Sequence, residues 1–277
     1  MGHRIEYTKA IRHCPSRTGT VIATVLLMLL GGQAPAGPAQ GDFASAFKAH
    51  GVDGTCIVFD LEAGTYAGYR PERWDSAYIP ASTFKIPNSL IALETGVIAD
   101  ERTVVPWDSV SRRIAAWNRD QTLASAFKVS AVWFYQELAR RIGDNRMQFY
   151  LDAADYGNRT MGGPVDRFWL DGGLRISPRR QVEFLVRLQR GSLPFSAGTM
   201  AIVRDIMIQE ETGRYTLRAK TGWSDATTPG VGWYVGYIER KGRTVFFATE
   251  IEMRNEGDAP ARVQVTRTIL RQLGLMD

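Results

Sequence analysis

Ser82-Thr83-Phe84-Lys85 places a hydroxyl three residues before an amine. A serine hydroxyl is a weak nucleophile until a base takes its proton. On a helix, residues three apart share a face one turn apart, so Lys85 can reach Ser82. The lysine serves as that base only when neutral, and burial lowers a lysine pKa well below its ordinary ~10.4. Phe84, Ile86, Trp133 and Phe134 are apolar residues available to line such a site. The same spacing recurs at Ser45–Lys48 and Ser125–Lys128, so spacing alone selects none of the three. Context does. Only Ser82 follows Pro80-Ala81, which puts it at a helix start, where backbone N–H groups and the helix dipole favour negative charge. Pro87 conflicts with a regular helix there, so an irregular first turn is expected.

Four further stretches offer polar groups. Lys220-Thr221-Gly222 ends a β-rich segment; Lys and Thr would face opposite sides of a strand, and Gly222 would let a substrate approach the backbone. Ser130-Ala131-Val132 lies between two helical stretches, and Tyr156-Gly157-Asn158 has the composition of a turn. Phe168-Trp169-Leu170-Asp171-Gly172-Gly173 holds a tryptophan that, if buried, needs an acceptor for its indole N–H. Asp171 is a second candidate base, weaker than Lys85 because an Asp beside Gly-Gly is commonly a solvated turn residue.

Other chemistries are poorly supplied. The histidines are His3, His13 and His50, the cysteines Cys14 and Cys56. A structural zinc site takes four Cys/His ligands and a catalytic one three protein ligands, so no metal is expected. A Ser-His-Asp triad would have to use His50. Cys56, in the run Cys56-Ile57-Val58-Phe59, reads as a buried small hydrophobe.

The elements that must carry these residues follow an address. Arg4, Lys9, Arg12 and Arg17 precede the apolar run 21–30, and Ala34-Pro35-Ala36 follows it, the order of a secretory signal cut after Ala36. Residues 1–36 carry four basic residues and one acidic one, so the net charge of +5 falls to +2 without them. No dense Lys/Arg tract with interleaved aromatics remains, so neither nucleic acid nor, after cleavage, membrane is an expected partner. A periplasmic or secreted location is expected.

Residues 37–277 read as a single catalytic domain, with 43–49 helical and 54–60 and 65–69 as paired strands. Helices are expected over 83–94, 131–142, 145–154, 179–190 and 196–209, strands over 215–221, 231–239 and 244–252, and a last helix over about 260–274. The link Arg240-Lys241-Gly242-Arg243 suits an antiparallel hairpin. Early and late strands around a helical middle imply an α/β fold: a central antiparallel β-sheet flanked by helices (about 37–80 and 210–277) plus a mostly helical lobe (about 81–209).

In combination the motifs resemble the class D, oxacillinase-type serine β-lactamases. PASTFKIPNSLIALETG (80–96), KVSAVWFYQELAR (128–140), YGN (156–158), FWLDGGLRIS (168–177), QVEFL (181–185), KTGWS (220–224) and PGVGWYVGYIE (229–239) occur in that family's order. The resemblance implies the fold of serine β-lactamases and penicillin-binding transpeptidases, a small-molecule β-lactam substrate, and ring opening that confers resistance. It makes Ser82 the acylated nucleophile and Lys85 an N6-carboxylysine, a carbamate formed from CO2 or bicarbonate, as general base for acylation and deacylation. No other cofactor is implied. Trp169 becomes the donor that holds the carbamate, Val132 its apolar neighbour and Leu170 a border of its pocket. Ser130 becomes the proton shuttle to the lactam nitrogen. Lys220 and Thr221 contact the carboxylate side of the substrate, with Gly222 and Trp223 beside them. The N–H groups of Ser82 and Trp223 form an oxyanion hole, worth ~3–4 kcal/mol per donor. Arg262, in Pro260-Ala261-Arg262, aligns with a carboxylate-binding arginine, a role for which a bidentate guanidinium is suited.

The family often carries Phe or another residue where Trp223 stands, and 211–219 matches nothing strongly. Two other readings share the nucleophile. A β-lactam sensor domain stays acylated and is normally tethered to membrane helices. A transpeptidase usually has SxN where this chain has Ser130-Ala131-Val132. Deacylation rate separates all three. Substrate spectrum is left to the loops 102–119 and 224–230, and the oligomeric state, monomer or homodimer, is open.

Overall fold

A computed structural model of the chain describes residues 42–276. The expected signal peptide and its cut after Ala36 lie outside the described residues. Helix α1 (Phe43–Ala49) is capped by the Asp42 carboxylate, which accepts from the Ser45 N–H. Strands β1 (Gly54–Asp60) and β2 (Thr65–Tyr69) form an antiparallel hairpin. A 3-10 turn, Ala81–Phe84, then runs into α2 (Lys85–Glu94). Pro87 therefore falls in the first turn of α2, where a backbone N–H has no helical acceptor to lose. The irregular start expected from the sequence is this 3-10 turn. From Lys85 to Ala92 every residue of α2 is buried, so it is an interior helix.

Strands β3 (Val104–Val105) and β4 (Gln121–Thr122) pair into a short ribbon at the base of the 106–120 loop. Helix α3 (Leu123–Val129) starts with a reciprocal capping box between Thr122 and Ser125. Helices α4 (Val132–Ile142), α5 (Asp144–Ala153), α6 (Pro178–Gln189) and α7 (Ala197–Ile206) follow, the last two capped by Ser177 and Ser196. The chain then runs through β5 (Ile208–Glu211), β6 (Thr216–Ser224), β7 (Gly230–Arg240) and β8 (Arg243–Met253) to α8 (Ala261–Gln272).

The six long strands form one antiparallel sheet in the order β2-β1-β8-β7-β6-β5. Its central strands are buried on both faces, and alternate residues feed two cores. Val245, Phe247 and Ile251 pack with α1 and α8, whereas Phe246 and Ala248 pack with α6 and the helical region. The β7–β8 hairpin turns through Lys241 and Gly242, both at positive φ, as a tight two-residue link requires.

The sequence expectations differ from the structure in three places. Residues 196–209 are not one helix: α7 ends at Ile206, and Ile208–Glu211 is the edge strand β5. The open edge of β6 supplies hydrogen-bonding partners that outweigh local helix preference. The strand expected over 215–221 continues to Ser224, because its pairing with β7 runs on to Val231. Finally, the β3–β4 ribbon was not anticipated, and the helical stretch before Ser130, left without bounds in the sequence, is α3, Leu123–Val129.

Candidate active site

Ser82 lies in the Ala81–Phe84 turn, which is held from three sides. Thr83 Oγ1 donates to the Pro80 carbonyl (2.7 Å) and accepts from Gln181 Nε2 of α6 (2.8 Å). Ala81 takes a left-handed φ of 49°, a conformation unfavourable for a residue with a Cβ. Strand β6 presses on the turn at Gly222, where a Cβ would sit 3.0 Å from the Pro80 carbonyl oxygen and 3.1 Å from Thr83 Cγ2. The glycine expected to admit substrate thus has another task. Its bare Cα seats the nucleophile turn against the sheet, although Gly222 also borders the cleft.

Lys85, the first residue of α2, is 1% exposed. Its Nζ lies 2.6 Å from Ser82 Oγ and 5.3 Å from the Tyr135 ring centre. Among the described residues it has no carboxylate partner. Burial, and then the charge of Lys220, hold its pKa well below the ordinary lysine range. Burial thus favours the neutral amine, the form that can take a hydroxyl proton.

A second amine–hydroxyl pair stands beside the first. Ser130 terminates α3 in a left-handed conformation (φ 57°), and Lys220 Nζ from β6 donates to its Oγ at 3.0 Å. Nζ also reaches the Thr221 carbonyl at 3.1 Å. Burial first, and then the charge of Arg262, push the Lys220 pKa down to about 7. Lys220 and Gly222 face inward along β6, while Thr221 and Trp223 are half-exposed on the alternate side.

Among the buried side chains with unpaired donor atoms, two adjoin the cleft. Trp169 is fully buried, stacked on Phe84 (5.2 Å, 24°) and edge-on to Phe168 (5.0 Å, 90°), yet its Nε1 makes no hydrogen bond. Arg262, in the first turn of α8, leaves buried Nε and Nη1 unpaired, and burial lowers its pKa to about 10. Unpaired buried donors are costly, and at a cleft they are positions where a ligand acceptor would be favoured.

Ser82, Ser130, Val132, Thr221, Trp223 and Arg262 line one cleft of about 390 Å³, within the range of small-molecule sites. Lys85 and Lys220 lie beneath its two serines. Trp169 sits behind Phe84. Leu170 does not line the cleft; its carbonyl accepts from Ser224 Oγ at 3.0 Å, tying the 168–173 segment to the end of β6. The cleft also includes Arg112, Arg113, Ile114 and Trp117, which sequence reasoning left inside an undifferentiated loop. The pair of arginines next to an apolar run was the available signal.

The rival candidates fall elsewhere. Ser45, in the first turn of α1, donates its hydroxyl to the Asp42 carbonyl at 2.6 Å, and Ser125 belongs to the capping box of α3. Asp171 is exposed and ion-paired with Arg167. His50 caps the C-terminus of α1. Cys56 is fully buried, accepts from Thr249 Oγ1 at 3.3 Å, and is pushed up to about 12 by burial. Among the described residues, no cluster of three or more His, Cys, Asp or Glu could hold a metal ion.

Comparison with known proteins gives a consistent placement. Residues 60–271 match the family model of the penicillin binding protein transpeptidase domain. The chain is 47% identical over 226 residues to β-lactamase OXA-48 of Klebsiella pneumoniae, covering 82% of this chain and 85% of that protein. It is 41% identical over 226 residues to the probable β-lactamase YbxI of Bacillus subtilis, covering 81% and 82%. The crystal structure of the class D β-lactamase YbXI from Nostoc superposes with a TM-score of 0.84 at 46% identity, covering 85% of this chain and 100% of that one.

Proposed function

The chain belongs to the penicillin-binding transpeptidase family and within it to the class D β-lactamases, and from that premise we propose an exported enzyme that opens the β-lactam ring through a Ser82 acyl-enzyme. The observation that carries this reading is the pair of buried amine–hydroxyl contacts, Lys85–Ser82 and Lys220–Ser130, bordering one cleft. The Ser82 proton passes to the Lys85 position while Oγ attacks the lactam carbonyl carbon. The C–N bond breaks, and the ring nitrogen takes a proton from Ser130 Oγ. Lys220, with a pKa of about 7, replaces that proton. Water then attacks the ester, frees Ser82 and leaves a carboxylic acid. Arg262 grips the carboxylate that most penicillins and cephalosporins carry, which satisfies its unpaired nitrogens. The backbone N–H groups of Ser82 and Trp223 are assigned to the developing oxyanion.

The site also fits a carbamate on Lys85. Its neutral amine is the form that adds CO2, and the orphan Trp169 Nε1 is a donor awaiting an anionic oxygen. When present, that group would supply an anionic general base for both half-reactions. No further cofactor is invoked. The apolar run 21–30 and Ala34-Pro35-Ala36 support export to the periplasm or beyond. No helix among the described residues is long and apolar enough to cross a membrane.

The test is steady-state hydrolysis of a penicillin and a chromogenic cephalosporin, with and without bicarbonate. Turnover that rises with bicarbonate and is abolished in Ser82→Ala supports the reading. A stoichiometric burst without turnover replaces it with a sensor or transpeptidase.

A further inference from the structure

Arg113, on the 106–120 loop, and Glu256, on the turn that precedes α8, are joined by a two-pronged ion pair. Arg113 Nη1 and Nη2 donate to Glu256 Oε2 and Oε1, each at 2.9 Å. Arg113 borders the cleft together with Ser82, while Glu256 borders a neighbouring hollow whose shared wall is Trp223. The loop continues through β4 into α3, which delivers Ser130, and the turn continues into α8, which delivers Arg262. The pair therefore links the helical wall of the cleft to the sheet wall.

Each support is fixed from within. Arg112 pairs with Asp108 and lies over the Trp133 ring at 5.6 Å, and Asn118 exchanges two hydrogen bonds with the Arg112 backbone (2.8 and 2.9 Å). Opposite, Arg254 pairs with Asp258 at 3.0 Å and donates to the Gly51 carbonyl at 2.9 Å, while Asn255 accepts from the Gly257 N–H at 2.8 Å. The two supports are thus built separately and are joined by a salt bridge whose side chains are 73% and 61% exposed. Such a pair is weak and screened by salt, so it can open.

We propose that Arg113 and Glu256 form a crossbar over the active-site cleft that sorts β-lactams by the bulk of their substituents. Compact substrates pass with the pair intact, and bulky ones must break it. This rests on the β-lactam hydrolase reading. The experiment compares kcat/KM for benzylpenicillin and for a cephalosporin with a bulky oxyimino side chain, at low ionic strength and in 0.5 M NaCl. Wild type, Glu256→Gln and the charge-exchanged Arg113→Glu/Glu256→Arg double variant are used. Because an exposed pair shifts an equilibrium by no more than about fivefold, the bulky-to-compact ratio should rise about two- to fivefold in Glu256→Gln. Salt should raise the ratio in wild type but not in Glu256→Gln, and the exchanged pair should restore the low ratio. A ratio unchanged by Glu256→Gln and insensitive to salt overturns the crossbar while leaving the hydrolase reading intact. Absence of turnover of either substrate by wild type removes the hydrolase reading and the crossbar with it.

Discussion

Replacing Trp169 by phenylalanine separates the two roles its position allows. The phenyl ring keeps the stack on Phe84 and the edge contact with Phe168, and it deletes only the unpaired N–H and the second ring. Removing a buried, unsatisfied donor relieves ~1–3 kcal/mol, and the void left by the smaller ring costs a similar amount. The net change in stability is therefore small. A hydrogen bond from Nε1 to an anionic carbamate is worth ~1.5–3 kcal/mol, or about 10- to 150-fold in an equilibrium or rate that depends on it. Trp169→Phe should fold and acylate, deacylate about 10- to 150-fold more slowly, and require correspondingly more bicarbonate for half-maximal activity. Stopped-flow measurement of both half-reactions across a bicarbonate series reads the effect, and carbon-13 NMR after labelling with ¹³CO2 reads the carbamate itself. Unchanged deacylation in the variant, with no labelled resonance in wild type, would refute the assignment of the orphan N–H.

Three other outcomes are expected. Arg262→Ala should raise KM about 10- to 150-fold for substrates bearing the ring carboxylate, with no loss of thermal stability, since two guanidinium nitrogens are unpaired in the free protein; an unchanged KM would refute the assignment. Gly222→Ala places a Cβ 3.0 Å from the Pro80 carbonyl oxygen and should cost ~1–3 kcal/mol in urea unfolding while slowing acylation, whereas wild-type behaviour in both would show that the nucleophile turn is not seated there. Burial lowers Lys220 from the ordinary 10.5 to about 7, so between those values the unfolded chain binds a proton that the folded chain lacks, and stability gains with rising pH; Lys220→Met should lose that gain, visible as a wild-type-minus-variant difference that grows from pH 7 to pH 9.5, and a constant difference would contradict it.

Much of the site was legible because it is built from local spacing. Ser82 and Lys85 sit one turn apart, and the link at 240–243 forms the hairpin its composition required. Choosing among three serine–lysine pairs took context and family resemblance, since burial depends on what the rest of the chain packs over a segment. Ser45 and Ser125 share the spacing, but their hydroxyls are taken up by first-turn hydrogen bonds of α1 and α3. The second task of Gly222, seating the nucleophile turn, was hidden because its contact partner, Pro80, lies some 140 residues earlier. Strand β5 was hidden for a related reason: an edge strand is defined by the neighbour it joins, here β6. The Arg113–Glu256 pair joins residues 143 apart, and nothing local in either segment announces it.

The strand order bears on when this protein can fold as it is made. β1 lies between β2 and β8, with Gly54 opposite Ile251 and Asp60 opposite Val245. The first hairpin therefore waits for residues 243–253 to be synthesised before its inner edge is paired, and closing so long a loop is slow. Until then the growing chain has no complete sheet and no assembled cleft.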